Sequence, residues 1–212
     1  HMEDQNWVNI SYDSIYQATQ KPIYNLNSIA VNPVNSNQAF ISSFQHGLLN
    51  FRKDGTMEIF DETNSALQSL VLTGSDYKSI RVSGLKFDSQ GMLWSLTSLV
   101  QDPLKKFNIA TNNWETFSFT SIIEDPILDE NGFGPLVIGP DGTKWIGSYR
   151  NGVIAFNENG NKIRQIVGEE TSNLPINHIK SLAMDQNNIL WIGTYKGLRV
   201  LYNTSAFFND DN

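Results

Sequence analysis

The chain has 212 residues, of which 40% are hydrophobic and 11% aromatic, enough to bury a substantial core. Its 15 lysines and arginines against 22 aspartates and glutamates give a formal net charge of −7, which argues against nucleic acid as a partner because nucleic-acid-binding proteins carry a basic face. The absence of cysteine excludes disulfides, thiolate metal sites and cysteine nucleophiles, and no apolar run is long enough for a membrane-spanning helix.

The chain starts with His1-Met2, which looks like a cloning remnant, so His1 takes no part in the functional interpretation. Residues 6–11 predict a strand, because Asn-Trp-Val-Asn-Ile-Ser resembles the strand-like Asn-Trp-Glu-Thr-Phe-Ser of residues 113–118. Four strand-rich segments follow, all within a predicted module at 3–208, and helical periodicity is almost absent from the sequence. The approximate bounds of the segments are 28–64, 82–120, 133–168 and 179–203.

Each segment reads as a succession of short strands separated by tight turns. In the third segment the predicted strands are 134–140, 143–149, 152–157 and 162–167. Asp141-Gly142 and Asn159-Gly160 lie between the flanking pairs, and such dipeptides supply the positive φ angles that tight hairpins need. The fourth segment stops after its third strand, predicted at 198–202.

The second predicted strand has a similar sequence in every segment. It reads Ala-Phe-Ile-Ser-Ser-Phe at 39–44, Leu-Trp-Ser-Leu-Thr-Ser at 93–98, Lys-Trp-Ile-Gly-Ser-Tyr at 144–149 and Leu-Trp-Ile-Gly-Thr-Tyr at 190–195. The equivalent aromatic residues recur roughly every 50 residues, a period of short strands that is typical of propeller blades. The sequence therefore predicts an all-β protein, a β-propeller with about four four-stranded blades.

The predicted strand at 6–11 leaves the closure of this propeller open. Either it completes the fourth blade and closes a small ring, which would remove exposed sheet edges, or it is the outer strand of a preceding blade. In the second case the chain is an arc of a larger propeller. Pairing of two arcs into one ring is a third arrangement.

The tryptophans of the second strands favour a structural role. Trp94, Trp145 and Trp191 occupy equivalent positions inside strands, so we expect them to be buried as wedges between neighbouring blades. Hydroxyl side chains alternate with them and are expected to satisfy backbone groups: Ser95, Ser148 and Thr194.

The string at residues 188–198, Asn-Ile-Leu-Trp-Ile-Gly-Thr-Tyr-Lys-Gly-Leu, resembles the repeat of the two-component-regulator propeller family. In that family a strand ending in Trp-Ile-Gly-Thr is followed by a short loop and Gly-Leu or Gly-Ile. Residues 141–148 match well, the second segment keeps Trp94 but continues with Ser-Leu-Thr, and the first has Phe40 in place of tryptophan. The resemblance implies a propeller fold over nearly the whole chain.

A narrower resemblance is to the PorZ family of the type IX secretion system. It is carried by Thr-Asn-Ser-Ala-Leu at 63–67, Val-Ser-Gly-Leu-Lys-Phe-Asp at 82–88, Asp-Pro-Leu-Lys at 102–105 and Gly-Leu-Arg-Val-Leu-Tyr-Asn-Thr at 197–204. This resemblance implies a noncatalytic scaffold at the cell surface of Bacteroidota, on the outer membrane. It also implies binding of an anionic lipopolysaccharide and work alongside the sortase that attaches secreted proteins to it.

The broader family implies an alternative, the periplasmic carbohydrate-sensing domain of a hybrid two-component regulator. A third possibility is a propeller lyase or glycosidase. The native histidines His46 and His178 fall at different structural positions, so the sequence does not show the convergence of histidine and acidic groups that a lyase needs. We therefore expect no catalytic activity and no cofactor.

The loops between the second and third strands are the candidate ligand-binding face, because loops on a rigid scaffold carry function. Three of the four combine an aromatic residue with a polar or cationic one, and their residues are Phe44, Gln45 and His46, Tyr149, Arg150 and Asn151, and Tyr195 and Lys196. An aromatic face packs on a sugar ring, and a nearby cation meets its carboxylate, sulfate or phosphate. Two interpretations stay open: a glycan or polypeptide ligand binds here, or the aromatic residues only cap the blades.

Two turns, at 129–132 and 157–161, are rich in side-chain oxygens of the kind that can bind calcium. Neither has the full twelve-residue calcium-loop pattern with its closing glutamate. Sequences of this kind are common in hairpin turns, so we expect no metal site.

Overall fold

The structure, a computed structural model, describes residues 7–125, 127, 132–168 and 173–209. Within these ranges it consists of one short helix and fifteen strands. They are α1 (Tyr12–Thr19), β1 (Leu26–Val31), β2 (Gln38–Ser43), β3 (Gly47–Arg52), β4 (Met57–Phe60), β5 (Arg81–Phe87), β6 (Leu93–Ser98), β7 (Leu104–Asn108), β8 (Asn113–Phe117), β9 (Phe133–Ile138), β10 (Lys144–Ser148), β11 (Val153–Asn157), β12 (Lys162–Ile166), β13 (Ile179–Met184), β14 (Leu190–Thr194) and β15 (Gly197–Leu201).

The strands form four antiparallel sheets in chain order, which confirms the predicted all-β blades. The first three sheets contain β1–β4, β5–β8 and β9–β12, each with its strands paired in sequence order. The fourth contains β13, β14 and β15. The first strands of successive sheets lie side by side, so they form the inner lining of the propeller.

The blades form an arc. Both end sheets expose apolar side chains: Ile29 of the first sheet is 67% exposed and Trp191 of the fourth is 40% exposed. The predicted strand at 6–11 is wrong for the described residues, because residues 7–11 lie outside every strand and the fourth sheet keeps three strands. Asn6 and the remnant at 1–2 lie outside the described residues.

A helix that the sequence did not predict follows instead. The Ser11 side chain caps α1 by accepting a hydrogen bond from the Ser14 N–H at 3.1 Å, a common way to begin a helix. Ile15 is buried against the outward face of the first blade, where it packs in one cluster with Leu49 and Ile59. The helix is eight residues long with one buried residue, too little periodicity to detect from sequence.

Three of the core clusters each join two neighbouring blades. Phe40 packs with residues of the second blade, Trp94 with residues of the third, and Trp145 with residues of the fourth. All three aromatic side chains are fully buried. The predicted wedge is therefore confirmed for Trp94 and Trp145, and each points towards the blade that follows its own.

Trp191 departs from this pattern. It occupies the equivalent position in β14, but it is 40% exposed because its outward face has no blade packed against it in the described chain. The expectation that it is buried between two blades is wrong for this reason.

Two of the three tryptophans are held by a carboxylate from the preceding hairpin. The indole N–H of Trp94 donates to Asp88 at 2.8 Å, and that of Trp191 donates to Asp185 at 3.1 Å. In each pair the aspartate comes six residues before the tryptophan. Gly139 stands at this position before Trp145, whose buried indole N–H has no hydrogen-bond partner among the described residues.

The contact between the second and third blades also contains buried charge. The Lys144 ammonium lies 3.7 Å from the centre of the Trp94 ring and 3.3 Å from a Glu158 carboxylate oxygen. Glu158 pairs in addition with Lys106 at 2.8 Å. Burial lowers the pKa of Lys144, and the Glu158 carboxylate opposes that shift. This set of charges makes the contact chemically different from its apolar neighbours.

A buried lysine ties the connector between the first two blades to the second blade. Lys105 of β7 is fully buried, and its ammonium donates to the Gln68 side-chain oxygen at 3.0 Å and to the Asp102 carbonyl. Burial lowers the pKa of Lys105 to about 7, and the nearby Asp102 charge opposes that shift.

Removing the indole of Trp145 should destabilise the fold. We expect Trp145→Ala to cost about 3–5 kcal/mol, the usual effect of deleting a large buried aromatic side chain. Trp191→Ala is the matched control and should cost clearly less, because that indole is already 40% exposed. Urea unfolding measures both, and equal losses would contradict the role given to Trp145.

Lys105 should make stability depend on pH. The unfolded chain keeps the lysine proton up to about pH 10, whereas the folded chain loses it near pH 7. Between these values the unfolded state binds more protons, so the free energy of unfolding rises with pH, by at most about 1.4 kcal/mol per unit.

Lys105→Met removes this titration and should flatten that rise. Urea unfolding of parent and variant between about pH 6 and pH 9 measures the difference. Two curves that stay parallel over this range would show that Lys105 is not the cause.

Candidate functional site

The loops between second and third strands are anchored in the same way in three blades. In each, the backbone N–H of the first loop residue donates to a carbonyl just before the innermost strand of its own blade. The pairs are Phe44 to Asn25 at 3.0 Å, Tyr149 to Gly132 at 2.8 Å and Tyr195 to His178 at 3.0 Å. The aromatic residue is thereby fixed beside the inner lining of the propeller.

Hydroxyl side chains at the ends of the second strands fix the rest of the loop in the first, third and fourth blades. The Ser148 oxygen accepts hydrogen bonds from the N–H groups of Arg150 at 3.2 Å and Asn151 at 2.9 Å. The Thr194 oxygen accepts from the Lys196 N–H at 3.2 Å. The prediction that these hydroxyls satisfy backbone groups is confirmed, and Ser43 does the same in the first loop.

Ser95 was expected to act similarly, and this is wrong. Its buried hydroxyl has no hydrogen-bond partner among the described residues. The residue lies in the middle of β6, and the hydroxyl at the end of that strand belongs to Ser98, which accepts from the Phe133 N–H at 3.0 Å.

The third and fourth loops come together around an imidazole. The His178 ring centre lies 3.8 Å from that of Tyr149 and 5.6 Å from that of Tyr195, to which it is nearly parallel. The Lys180 ammonium lies 5.9 Å from both tyrosine ring centres. Tyr149 is 55% exposed and Tyr195 67% exposed. We call Tyr149, His178, Lys180 and Tyr195 the tyrosine–histidine cluster.

The cationic and amide residues of the same loops differ in their surroundings. Arg150 and Lys196 are exposed beside the tyrosine–histidine cluster. Asn151 is half-buried, and its carbonyl accepts a hydrogen bond from the Gln165 side chain at 2.7 Å. The cluster is therefore flanked by two exposed cationic residues and by Asn151, whose backbone carbonyl is hydrogen-bonded.

The first loop forms a separate group between the first and second blades. The Arg81 guanidinium lies 5.7 Å from the Phe44 ring centre, and the His46 ring contacts Tyr24 edge to face at 4.3 Å. Burial lowers the pKa of His46. The side-chain oxygen of Gln45 accepts from the Asn25 amide at 3.3 Å. The eight predicted site residues are thus divided between two groups.

A cavity of about 250 Å³ lies beside His46. Two ion pairs line it, Lys21 with Asp61 at 2.5 Å and Lys78 with Glu62 at 2.6 Å. Because its lysines are paired, the charges that line this cavity are already neutralised within the protein.

A larger cavity of about 1040 Å³ opens among the hairpins at the other end of the strands. Glu158 of the predicted oxygen-rich turn lines it, but that carboxylate pairs with Lys106 and Lys144. No group of three potential metal ligands occurs among the described residues. Of the other turn, 129–131 lie outside them.

Sequence reasoning missed His178 as a member of the site and did not consider Lys180 or Arg81. The candidate ligand-binding residues did not include His178, whereas the structure places its ring in contact with two tyrosine rings. Arg81 and Lys180 lie at the starts of innermost strands, so they meet the loops in space and not in sequence. The sequence signal that could have identified these two residues is a cationic side chain near the start of both β5 and β13.

Comparison with known proteins identifies the class of fold. The family described as two component regulator propeller matches residues 173–196, which include Trp191 and Tyr195. The chain therefore carries a propeller repeat of the two-component-regulator type, and the predicted resemblance is confirmed. Comparison with curated proteins gives no match.

Among solved structures, the chain is similar to PorZ of Porphyromonas gingivalis, described as an essential bacterial surface component of the type IX secretion system. The TM-score is 0.79 at 22% identity, over 95% of this chain and 28% of PorZ. The extracellular domain of a hybrid two-component system from B. thetaiotaomicron gives 0.66 at 17% identity, over 87% and 22%.

Virginiamycin B lyase from Staphylococcus aureus gives a TM-score of 0.57 at 10% identity, over 83% of this chain and 55% of the lyase. At these identities the likeness shows the shared propeller fold. The chain spans less than a third of PorZ and of the two-component domain. In the described residues, no helix is both long and apolar enough to cross a membrane.

Proposed function

We propose that the chain is a noncatalytic recognition scaffold of the type IX secretion attachment machinery. In this role it lies outside the inner membrane, at the cell surface, and binds a glycan or anionic lipopolysaccharide, or partner proteins that include the sortase. The observation that carries the proposal is the tyrosine–histidine cluster, which presents two exposed tyrosine rings next to a lysine ammonium.

The chemistry of this cluster suits a sugar that bears an acidic group. Tyrosine rings offer flat apolar faces for the C–H side of a sugar ring, and their low conformational freedom makes them efficient contacts. Lys180, Arg150 and Lys196 concentrate positive charge here on a chain whose net charge is −7. Arginine can meet a carboxylate or phosphate through two parallel hydrogen bonds.

The similarity to PorZ supports the assignment to type IX secretion. It covers nearly the whole chain with the highest of the three TM-scores given above. Since the likeness extends over 28% of PorZ, the role of the assembly and its partners belong to this proposal.

A carbohydrate-sensing domain of a hybrid two-component regulator is the second candidate. The matched repeat at residues 173–196 and the extracellular domains from B. thetaiotaomicron favour it. The gene region beyond Asn212 discriminates between the two candidates. A second propeller and a sorting domain there would favour secretion, and a membrane helix with a kinase would favour sensing.

A propeller lyase or glycosidase is the weakest candidate. His46 and His178 belong to separate groups, and each contacts tyrosine rings. A general acid or base needs to converge with other catalytic groups on one substrate. The lyase likeness, at 10% identity, extends to the fold alone.

The binding face should be tested by mutation of its exposed side chains. We expect Tyr149→Ala combined with Arg150→Ala to weaken glycan binding about tenfold or more, because a stacking ring and a cation are lost together. Thermal stability should change little, since both side chains are exposed. A glycan array that includes anionic lipopolysaccharide, followed by titration calorimetry of the ligands found, measures the effect.

Tyr202→Ala provides a matched control. Tyr202 is 74% exposed and follows β15 at the end of that strand opposite to the loops. The control should bind as the parent does. Unchanged affinity in the double variant would reject this face as the binding site.

A further inference from the structure

His178 is held in a fixed position within the tyrosine–histidine cluster. Its carbonyl accepts the Tyr195 N–H at 3.0 Å, and the next residue, Ile179, is buried at the start of β13. Its imidazole contacts the rings of both Tyr149 and Tyr195. The ring therefore lies next to both side chains that would stack on a ligand.

The groups that face His178 are cationic or aromatic. Lys180 comes from β13, which directly follows His178, Tyr149 from the loop after β10, and Tyr195 from the loop after β14. Arg150 and Lys196 follow these tyrosines in the loops. Histidine is the side chain whose ordinary titration falls between pH 5 and 8, so His178 can change the charge of this cluster in that range.

We propose that His178 and Lys180, with Tyr149 and Tyr195, form a subsite for the acidic group of a sugar ring, and that protonation of His178 tightens binding there. This inference rests on the proposed function and specifies its ligand class and its pH dependence. Neither His178 nor Lys180 is needed for loop anchoring through its side chain, so both are available to a ligand.

The direction of the pH dependence follows from the charges. Burial and the neighbouring Lys180 charge lower the pKa of His178, so the ring is neutral at pH 8 and gains a positive charge as the pH falls below its ordinary value of 6.5. The charged imidazole attracts the ligand's carboxylate, and at this exposed site the gain in affinity should be about fivefold. By linkage, the bound anion raises the pKa of His178.

The experiment uses tetragalacturonate as the acidic probe and maltotetraose as the neutral one. Carboxylic acids lose their proton near pH 4, so the probe keeps its charge over the range tested. Calorimetry on the whole chain at about pH 5 and about pH 8 should show tetragalacturonate binding roughly fivefold tighter at the lower pH. Maltotetraose should show no such difference.

Two histidine variants test whether His178 causes this pH dependence of the affinity. His178→Phe keeps an aromatic ring next to the two tyrosines but cannot be protonated, so its affinity for tetragalacturonate should be the same at pH 5 and pH 8. His46→Phe makes the same change at the other half-buried histidine and should keep the gain in affinity at the lower pH. Lys180→Met should weaken binding at both pH values.

Equal tetragalacturonate affinity at the two pH values would overturn the inference, as would a His178→Phe variant that keeps the gain. Failure of tetragalacturonate to bind at either pH would also overturn it. In that case other glycans retained on the array would leave the proposed function standing. An array and a lipopolysaccharide assay without any bound ligand would overturn the proposed glycan recognition itself.

Discussion

The contact between neighbouring blades depends on one large side chain from the second strand of each blade. Phe40, Trp94 and Trp145 each pack against the sheet that follows, and each of the three core clusters that join two blades contains one of them. Full burial of a large aromatic side chain stabilises a fold by several kcal/mol. These three side chains therefore contribute much of the free energy that holds neighbouring sheets together. The inner strands then lie side by side, and the loops that follow the second strands share one rim.

That arrangement explains how a short loop can present a precise group of side chains. The loop is held by a hydroxyl such as that of Ser148 and by a backbone bond to the start of the inner strand, so its aromatic residue needs no packing of its own. Tyr149 and Tyr195 remain exposed, and His178 and Lys180 contact them from the start of the inner strand of the fourth blade. A scaffold of this kind lets the exposed side chains vary without loss of the fold.

The repeated pattern was sufficient to predict the blades, because alternation and turn dipeptides report on each strand locally. It also located Tyr149 and Tyr195, since each directly follows a second strand. It could not show that His178 contacts both of them, because those contacts join residues far apart in sequence. The exposure of Trp191 could not be predicted either. The same motif is buried or exposed depending on whether another blade packs against it, and the sequence of the strand itself does not reveal that. The helix at residues 12–19 was too short for its periodicity to be detected.

The exposed fourth sheet has a consequence for the order in which the molecule loosens. In an array whose units contact only adjacent units, the stability of each sheet depends on the neighbours on its two sides. The sheet of β13–β15 has one such neighbour in the described chain, and most residues of β15 are open to solvent. Fraying should therefore begin there and move inward, with amide protons exchanging fastest in β15 and slowest in the second and third sheets. The tyrosine–histidine cluster lies between the third and fourth sheets, so it joins the sheet that opens most easily to a more stable one.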